Sequence, residues 1–220
     1  MSKLAKKHEV ILALGLLCLV SVMLLGARII VTDSLRFVFL YWNLILAVIP
    51  AVLAYILVQR LRKLSWFRWE QIALTAGWLI FLPNSFYLIT DMVHLRPNYE
   101  ASLYFDVVML ASFMICGLYL GFYSLYLVHR ELHRRFSADF SLSMIAAVIL
   151  ISSFATYLGR FTRYNSWDLL LQPFGLLFDV SDRFVNPTQH NETYLATSTL
   201  FVVLFSAYLV IWIAAKKIEK

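Results

Sequence analysis

Polar side chains recur along the third apolar run of this chain at the spacing of a helix face. Asn84, Tyr87, Asp91 and His94 lie three, four and three residues apart, so a helix would align them over about three turns. A carboxylate and an imidazole on one face are groups that can transfer protons. Asp91 and His94 are therefore candidate catalytic residues. Asn84 and Tyr87 are candidate ligand-binding residues, as is Asn43, which lies early in the second apolar run.

A second set of polar side chains follows the fifth apolar run. Arg160 and Arg163 lie one turn apart, and Asn165, Trp167 and Asp168 come directly after them. The planar guanidinium group binds phosphate or carboxylate through two parallel hydrogen bonds. These five residues are therefore further candidates to bind a ligand, and an anion such as phosphate is the ligand we expect.

The same two arginines have a structural alternative. Asp91, Asp106 or Asp168 would neutralise Arg160 and Arg163 if the two polar stretches meet, and such an ion-pair network needs no ligand. We expect the stretches to meet in one cluster. Proximity alone does not separate the two readings, and the sequence leaves both open.

No metal site and no cofactor are predicted. Asp91 and His94 would supply two metal ligands from one helix face, but a third ligand has to be assumed. The chain also has no Gly-x-Ser-x-Gly and no His-Glu-x-x-His motif. Whether the protein is an enzyme stays open, and no reaction is assigned.

Six long apolar runs must position these residues. Each run reaches the ~18–20 residues that cross a bilayer core of about 30 Å. The hydrophobic content of 61% also exceeds what a soluble domain needs. The sequence predicts one integral membrane domain over residues 1–220, an all-α polytopic bundle of about six transmembrane helices. The runs are 10–31, 37–59, 70–90, 101–128, 140–158 and 194–215.

The distribution of basic residues predicts the orientation. Of the 19 Lys and Arg residues, 13 fall in the two termini and in the loops after the second and fourth runs. Short cytoplasmic loops carry such an excess, so both termini should be cytoplasmic and the polar stretches extracytoplasmic. The net charge of +6 is then a topology signal, and no nucleic-acid partner is predicted. The six remaining residues are Arg28, Arg36, Arg96, Arg160, Arg163 and Arg183.

The packing of the runs can be predicted in outline. Leu169–Leu171 and Phe174–Phe178 form an apolar stretch too short to span, so it should lie in the interface or re-enter the membrane. The Asn84–His94 face should turn toward other helices, because unpaired polar groups in hydrocarbon are costly. The residues expected to face lipid instead are Leu82, Phe86 and Val93. Gly117 and Gly121 indicate close helix packing within the bundle.

The polar stretches carry a family resemblance, which covers roughly residues 35–215. Three motifs in this order resemble a family of bacterial membrane proteins known as domain of unknown function 1361. The resemblance implies a multi-spanning protein of the bacterial plasma membrane and supplies no activity. The motifs are Asn43-Leu44 with Ala47 and Ile49-Pro50; Leu82-Pro83-Asn84, Tyr87, Thr90-Asp91 and His94-Leu95; and Gly159-Arg160, Arg163 and Asn165-Ser166-Trp167-Asp168.

Three classes of function stay open. The first is a protein that binds or processes an anionic envelope lipid or lipid-linked molecule, with the arginines holding the charge. The second is a structural or assembly factor whose polar groups only connect helices. The third is a transporter or channel component, which the almost wholly apolar inner halves of the runs disfavour. The partners expected are the lipid bilayer and such an anionic ligand.

Reporter fusions test the predicted orientation. Fusions after Lys220 and within 60–69 should behave as cytoplasmic, and a fusion near Asn191 should behave as external. A cytoplasmic signal at Asn191 would contradict the topology.

Overall fold

The computed structural model describes residues 3–95, 102–162, 164 and 168–218. The described chain contains helices and no strands. Six of the helices, α1 to α5 and α8, are long and apolar enough to cross a membrane, which confirms the predicted all-α bundle. The helices are α1 (Lys3–Thr32), α2 (Phe39–Leu61), α3 (Trp69–Thr90), α4 (Leu103–Arg135), α5 (Ala138–Phe161), α6 (Asp168–Leu171), α7 (Pro173–Val185) and α8 (Asn191–Ile218).

Helix α3 occupies the centre of the bundle. It packs against α2, α4 and α5, whereas α1 lies mainly on α4 and α8 lies mainly on α5. The end of the bundle where α3 ends and α4 begins is called the outer end, after its predicted orientation, and the opposite end is called the basic end. A single 3-10 turn, Asp91–His94, extends α3 beyond its last α-helical residue at the outer end.

Two glycines let α4 approach α3 closely. A Cβ atom added at Gly117 would lie 2.4 Å from the Ser85 carbonyl oxygen, and one at Gly121 would lie 2.7 Å from the Phe86 ring. Side chains larger than hydrogen therefore do not fit at these positions. The Gly-x-x-x-Gly spacing serves packing between α3 and α4 inside one chain.

This central position makes part of the predicted lipid-facing surface wrong. Leu82 and Phe86 are fully buried in the core cluster that also contains Trp78. Val93 is 63% exposed, as expected for a lipid-facing residue. The prediction holds only for a helix that buries its polar face and leaves its other faces to lipid. Because α3 has neighbours on three sides, it buries apolar faces as well.

Helix α7 forms most of the segment predicted to be interfacial or re-entrant. Its 13 residues span about 20 Å, which is too short to cross a bilayer core of about 30 Å. Phe174, Leu177 and Phe178 are exposed on one side of it, while Arg183 is buried on the other. The apolar side therefore faces away from the bundle, as in a helix that lies in a membrane interface.

The close contact of α3 and α4 can be tested with two glycine substitutions. Gly117→Ala should lower the free energy of unfolding by about 1–3 kcal/mol, because the new methyl group overlaps backbone. Gly15→Ala is the matched control, since no atom lies within 4 Å of its added Cβ. Unfolding in detergent micelles that shows equal stability for both variants would contradict this packing.

Candidate functional site

The outer end holds one buried carboxylate that connects three helices. The Asn43 side-chain amide on α2 donates to Asp91 Oδ2 at 2.9 Å. Arg160 on α5 donates to Asp91 Oδ1 at 2.5 Å, and Asp91 itself is 1% exposed. Asp91 follows the last α-helical residue of α3, so α2, α3 and α5 meet at its two oxygen atoms. Asn43, Thr90, Asp91 and Arg160 are together called the Asp91 network.

The guanidinium group of Arg160 is fully engaged. Its Nε atom donates to Thr90 Oγ1 at 2.9 Å, and its Nη1 atom lies 2.9 Å from His94 Nε2. The group also lies over the Tyr87 ring, 4.5 Å from the ring centre. Hydrogen bonds, an ion pair and a cation–π contact therefore fix its orientation.

The contact with Arg160 determines the protonation of His94. A guanidinium group only donates hydrogen bonds, so His94 Nε2 must accept. This tautomer, inferred from the hydrogen-bond network, is a neutral imidazole with its proton on Nδ1. His94 in this arrangement cannot act as an acid through Nε2. The predicted proton transfer between Asp91 and His94 stays a prediction, and Arg160 contacts both side chains.

The structure brings together five of the residues singled out in the sequence, namely Asn43, Tyr87, Asp91, His94 and Arg160. The neighbouring candidate Asn84 lies about two turns deeper in α3 than Asp91. It donates to the Phe81 carbonyl at 3.0 Å.

The other candidates come from the stretch after α5. Arg163, Asn165 and Trp167 lie outside the described residues. Asp168 begins α6, close enough to Tyr164 to influence its phenol group electrostatically. Of the expected cluster of Asp91, His94, Arg160, Arg163 and Asp168, the described contacts join Asp91, His94 and Arg160.

An open cavity adjoins the Asp91 network on its α2 side. Its volume is about 270 Å³, and Arg36, Phe37, Phe39 and His94 line it. The Arg36 guanidinium donates to the His94 carbonyl at 3.2 Å and lies 5.1 Å from the centre of the Phe37 ring. The His94 ring packs edge-on against Phe39. The sequence predicts that Arg36 lies on the outer side, but only the folded chain brings it to His94.

The outer end contains a second buried ion pair. Arg28 Nε on α1 lies 2.8 Å from Asp106 Oδ1 on α4, and neither side chain is more than 2% exposed. Asp106 therefore pairs with Arg28, and the described ion pairs show Arg160 neutralised by Asp91. Asp106 is a possible partner of Arg160 from the sequence alone, because the sequence does not reveal which helices are neighbours.

The basic half of the bundle is less apolar than the sequence suggests. Gln71, Ser124, His129 and Glu131 are buried there. His129 Nδ1 lies 2.8 Å from the Tyr208 hydroxyl. A mean hydropathy averages over the whole helix, so it does not reveal polar residues that all lie on the buried face.

The geometry limits the chemistry of the outer end. No group of three His, Cys, Asp or Glu side chains in the described ranges could hold a metal ion. Asp91 is buried, accepts hydrogen bonds at both oxygens and pairs with a cation. These contacts are typical of a side chain that connects helices. Arg36 and His94 line the open cavity instead, so a ligand has access to them.

A double-mutant cycle tests the structural role of the Asp91–Arg160 pair. Asp91→Ala and Arg160→Ala should each cost about 3–5 kcal/mol, because each leaves a buried charge without its partner. The double variant should cost less than the two together by about 0.5–3 kcal/mol. Additive costs would contradict the pairing. The pair of exposed Arg68 with half-buried Glu70 is the control, and its coupling should stay below about 1 kcal/mol.

A family comparison matches the part of the chain that builds most of this site. A family model described as "Protein of unknown function (DUF1361)" matches residues 42–212. The matched range includes Asn43, Asp91, His94 and Arg160, whereas Arg36 precedes it. No curated protein and no solved structure matches the chain. The match covers well over half of the sequence. The chain, with its six helices long and apolar enough to cross a membrane, therefore belongs to the DUF1361 family of proteins of unknown function.

Proposed function

We propose that this membrane protein binds the anionic group of a lipid or lipid-linked molecule in the outer cavity beside His94. The observation that carries the proposal is the position of Arg36. Its guanidinium lines the cavity, and its described hydrogen bond goes to a neutral carbonyl group. None of the ion pairs among the described residues includes Arg36, so its positive charge is available to a ligand.

The contrast with the other arginines of the outer end supports this choice. Arg28 is neutralised by Asp106, and Arg160 is neutralised by Asp91. A phosphate at Arg160 would have to displace a carboxylate, whereas a phosphate at Arg36 would displace only water. The planar guanidinium of Arg36 can then bind two phosphate oxygens at once.

The surface around the cavity favours an amphipathic ligand over a free anion. Leu35, Val38 and Trp42 belong to the same stretch of chain as Arg36, and all three are at least 45% exposed. Exposed apolar side chains beside one cationic group suit a molecule with an anionic head and an apolar tail. The cavity is slightly smaller than a drug-sized site, which fits the binding of a head group alone.

In this proposal the Asp91 network supports the cavity and does not bind the ligand. Arg160 fixes the imidazole of His94, and His94 lines the cavity. The predicted ligand-binding roles of Asn43, Tyr87 and Arg160 thereby become supporting roles, which hold the α3 end in place. A purely structural protein would need the Asp91 network but would not need an unneutralised Arg36.

Lipid retention tests the proposal. Native mass spectrometry of wild-type protein, extracted gently and exposed to phosphatidylglycerol, should detect bound anionic lipid. Arg36→Gln should weaken retention by about 10–100-fold, since a hydrogen bond to a charged group contributes about 1.5–3 kcal/mol. Arg68→Gln removes an exposed arginine that pairs with Glu70 at the basic end, so it is the matched control.

The outcomes separate a binding role from a structural one. Equal retention by wild type and Arg36→Gln would refute the outer cavity as the binding site. His94→Gln should also weaken retention while leaving the Asp91–Arg160 ion pair in place. Arg160→Lys should lower stability more than retention per folded molecule, because it loses the planar fork that hydrogen-bonds to three side chains.

A further inference from the structure

A third buried guanidinium lies at the junction of α7 and α8. Arg183, in the last turn of α7, is 8% exposed, and its Nη1 atom donates to the Asp179 carbonyl at 2.7 Å. Its Nε atom is buried without a hydrogen-bond partner. None of the ion pairs among the described residues includes Arg183. Burial of a cation that forms no ion pair is costly, so an anion beside the Nε atom would stabilise this arrangement.

The acidic side chains nearest to Arg183 on α7 are committed to other partners. The Asp179 carboxylate accepts from the Tyr164 hydroxyl at 2.9 Å, and this bond raises the pKa of Tyr164. The Asp182 carboxylate accepts from the Asn186 amide at 2.8 Å and lies 2.7 Å from His190 Nε2. These two contacts lower the pKa of Asp182, and the charge of Arg183 lowers it to a smaller extent. Neither carboxylate forms an ion pair with Arg183.

Two threonine hydroxyls near the start of α8 are also without partners. Thr193 and Thr197 lie one turn apart on the buried face of α8, and neither Oγ1 atom has a hydrogen-bond partner. Threonines inside helices commonly donate to the carbonyl one turn before. Thr32, Thr75 and Thr156 of this chain do so. The hydroxyls of Thr193 and Thr197 are therefore buried without a partner, and an acceptor bound beside them would satisfy both.

The local fold brings the end of α7 to the start of α8. The 3-10 turn Pro187–His190 joins the helices, and the Tyr194 hydroxyl donates to the Arg183 carbonyl at 2.7 Å. Tyr194 directly follows Thr193, so this hydrogen bond fixes the last turn of α7 against the first turn of α8. Arg183 and Thr193 thus lie on two segments that one hydrogen bond joins, and Thr197 lies one turn further along α8.

We infer that a phosphoryl oxyanion binds at this junction, held by Arg183 Nε and the hydroxyls of Thr193 and Thr197. A tetrahedral oxyanion accepts several hydrogen bonds and neutralises the guanidinium, which satisfies both unmet requirements of the region. The phosphoryl group belongs either to free phosphate or to a phospholipid. This inference shares no residue with the outer cavity and does not depend on the proposed function.

Thermal unfolding of the purified full-length protein in phosphate-free detergent tests the inference. One arm adds inorganic phosphate, a second adds phosphatidylglycerol, and a third adds neutral diacylglycerol as the control lipid. At ten times its Kd, a bound ligand should raise the Tm of wild type by about 3–6 °C. A rise with phosphate identifies a free oxyanion, and a rise with phosphatidylglycerol alone identifies a head group.

Three variants assign such a rise to this site. Arg183→Met should abolish it and, without ligand, should be at least as stable as wild type, because it removes a buried charge that forms no ion pair. The double variant Thr193→Val and Thr197→Val should raise the ligand concentration that gives the same Tm shift about tenfold or more. Thr162→Val is the matched control, since its hydroxyl already donates to the Leu158 carbonyl at 2.6 Å, and its response should equal that of wild type.

Two results would overturn the inference. One is a wild-type Tm that neither phosphate nor phosphatidylglycerol changes. The other is a response that survives in the double threonine variant, which would identify an adventitious ion only. If Arg183→Met does not fold, the comparison of the double threonine variant with Thr162→Val decides alone. Arg36→Gln should leave this response intact, so failure here and failure at the outer cavity can be told apart.

Discussion

The outer end of this bundle depends on the burial of one carboxylate. Asp91 lies just beyond a helix that packs against α2, α4 and α5, and almost none of its surface is exposed. An ionised carboxylate in such a place is stable only if its partners replace water. Asn43 and Arg160 do so at its two oxygens, from two other helices. The positions of α2 and α5 relative to the α3 end are thereby fixed.

That constraint extends to the groups around it. Because Arg160 must hold Asp91, its remaining donors meet Thr90 and His94 in one orientation. His94 is then neutral and directed toward Arg160, while its backbone carbonyl accepts from Arg36. The close contact of α3 with the glycines of α4 keeps the core of the bundle tightly packed below this level. The contacts of Arg160 and Arg36 thus fix the position of His94, which lines the cavity.

Much of this could be predicted from the sequence, for clear physical reasons. Six apolar runs give six membrane helices, because the length of a span is fixed by the thickness of the bilayer. The spacing of Tyr87, Asp91 and His94 predicts one helix face, and the position of Arg160 at the end of the fifth run predicts that it meets this face. Helical spacing is enough to predict this meeting, because all of these residues lie near the outer ends of their helices.

The remainder required knowledge of which helices are neighbours. The burial of Leu82 and Phe86 follows from the central place of α3, which no local pattern reveals. The pairing of Asp106 with Arg28 depends on α1 lying beside α4. Arg36 and Arg183 each look like an ordinary outer-side arginine in the sequence. Only the fold shows that Arg28 and Arg160 are neutralised while Arg36 and Arg183 take part in no described ion pair.

The central claim is that the buried ion pair supports the site while the neighbouring cavity binds the anion. Cryo-electron microscopy of the protein in phosphatidylglycerol nanodiscs, enlarged by a bound antibody fragment, tests it most directly. The account predicts phosphate density beside the Arg36 guanidinium, with Asp91 and Arg160 still in contact. Phosphate density on Arg160, with Asp91 released, would contradict it.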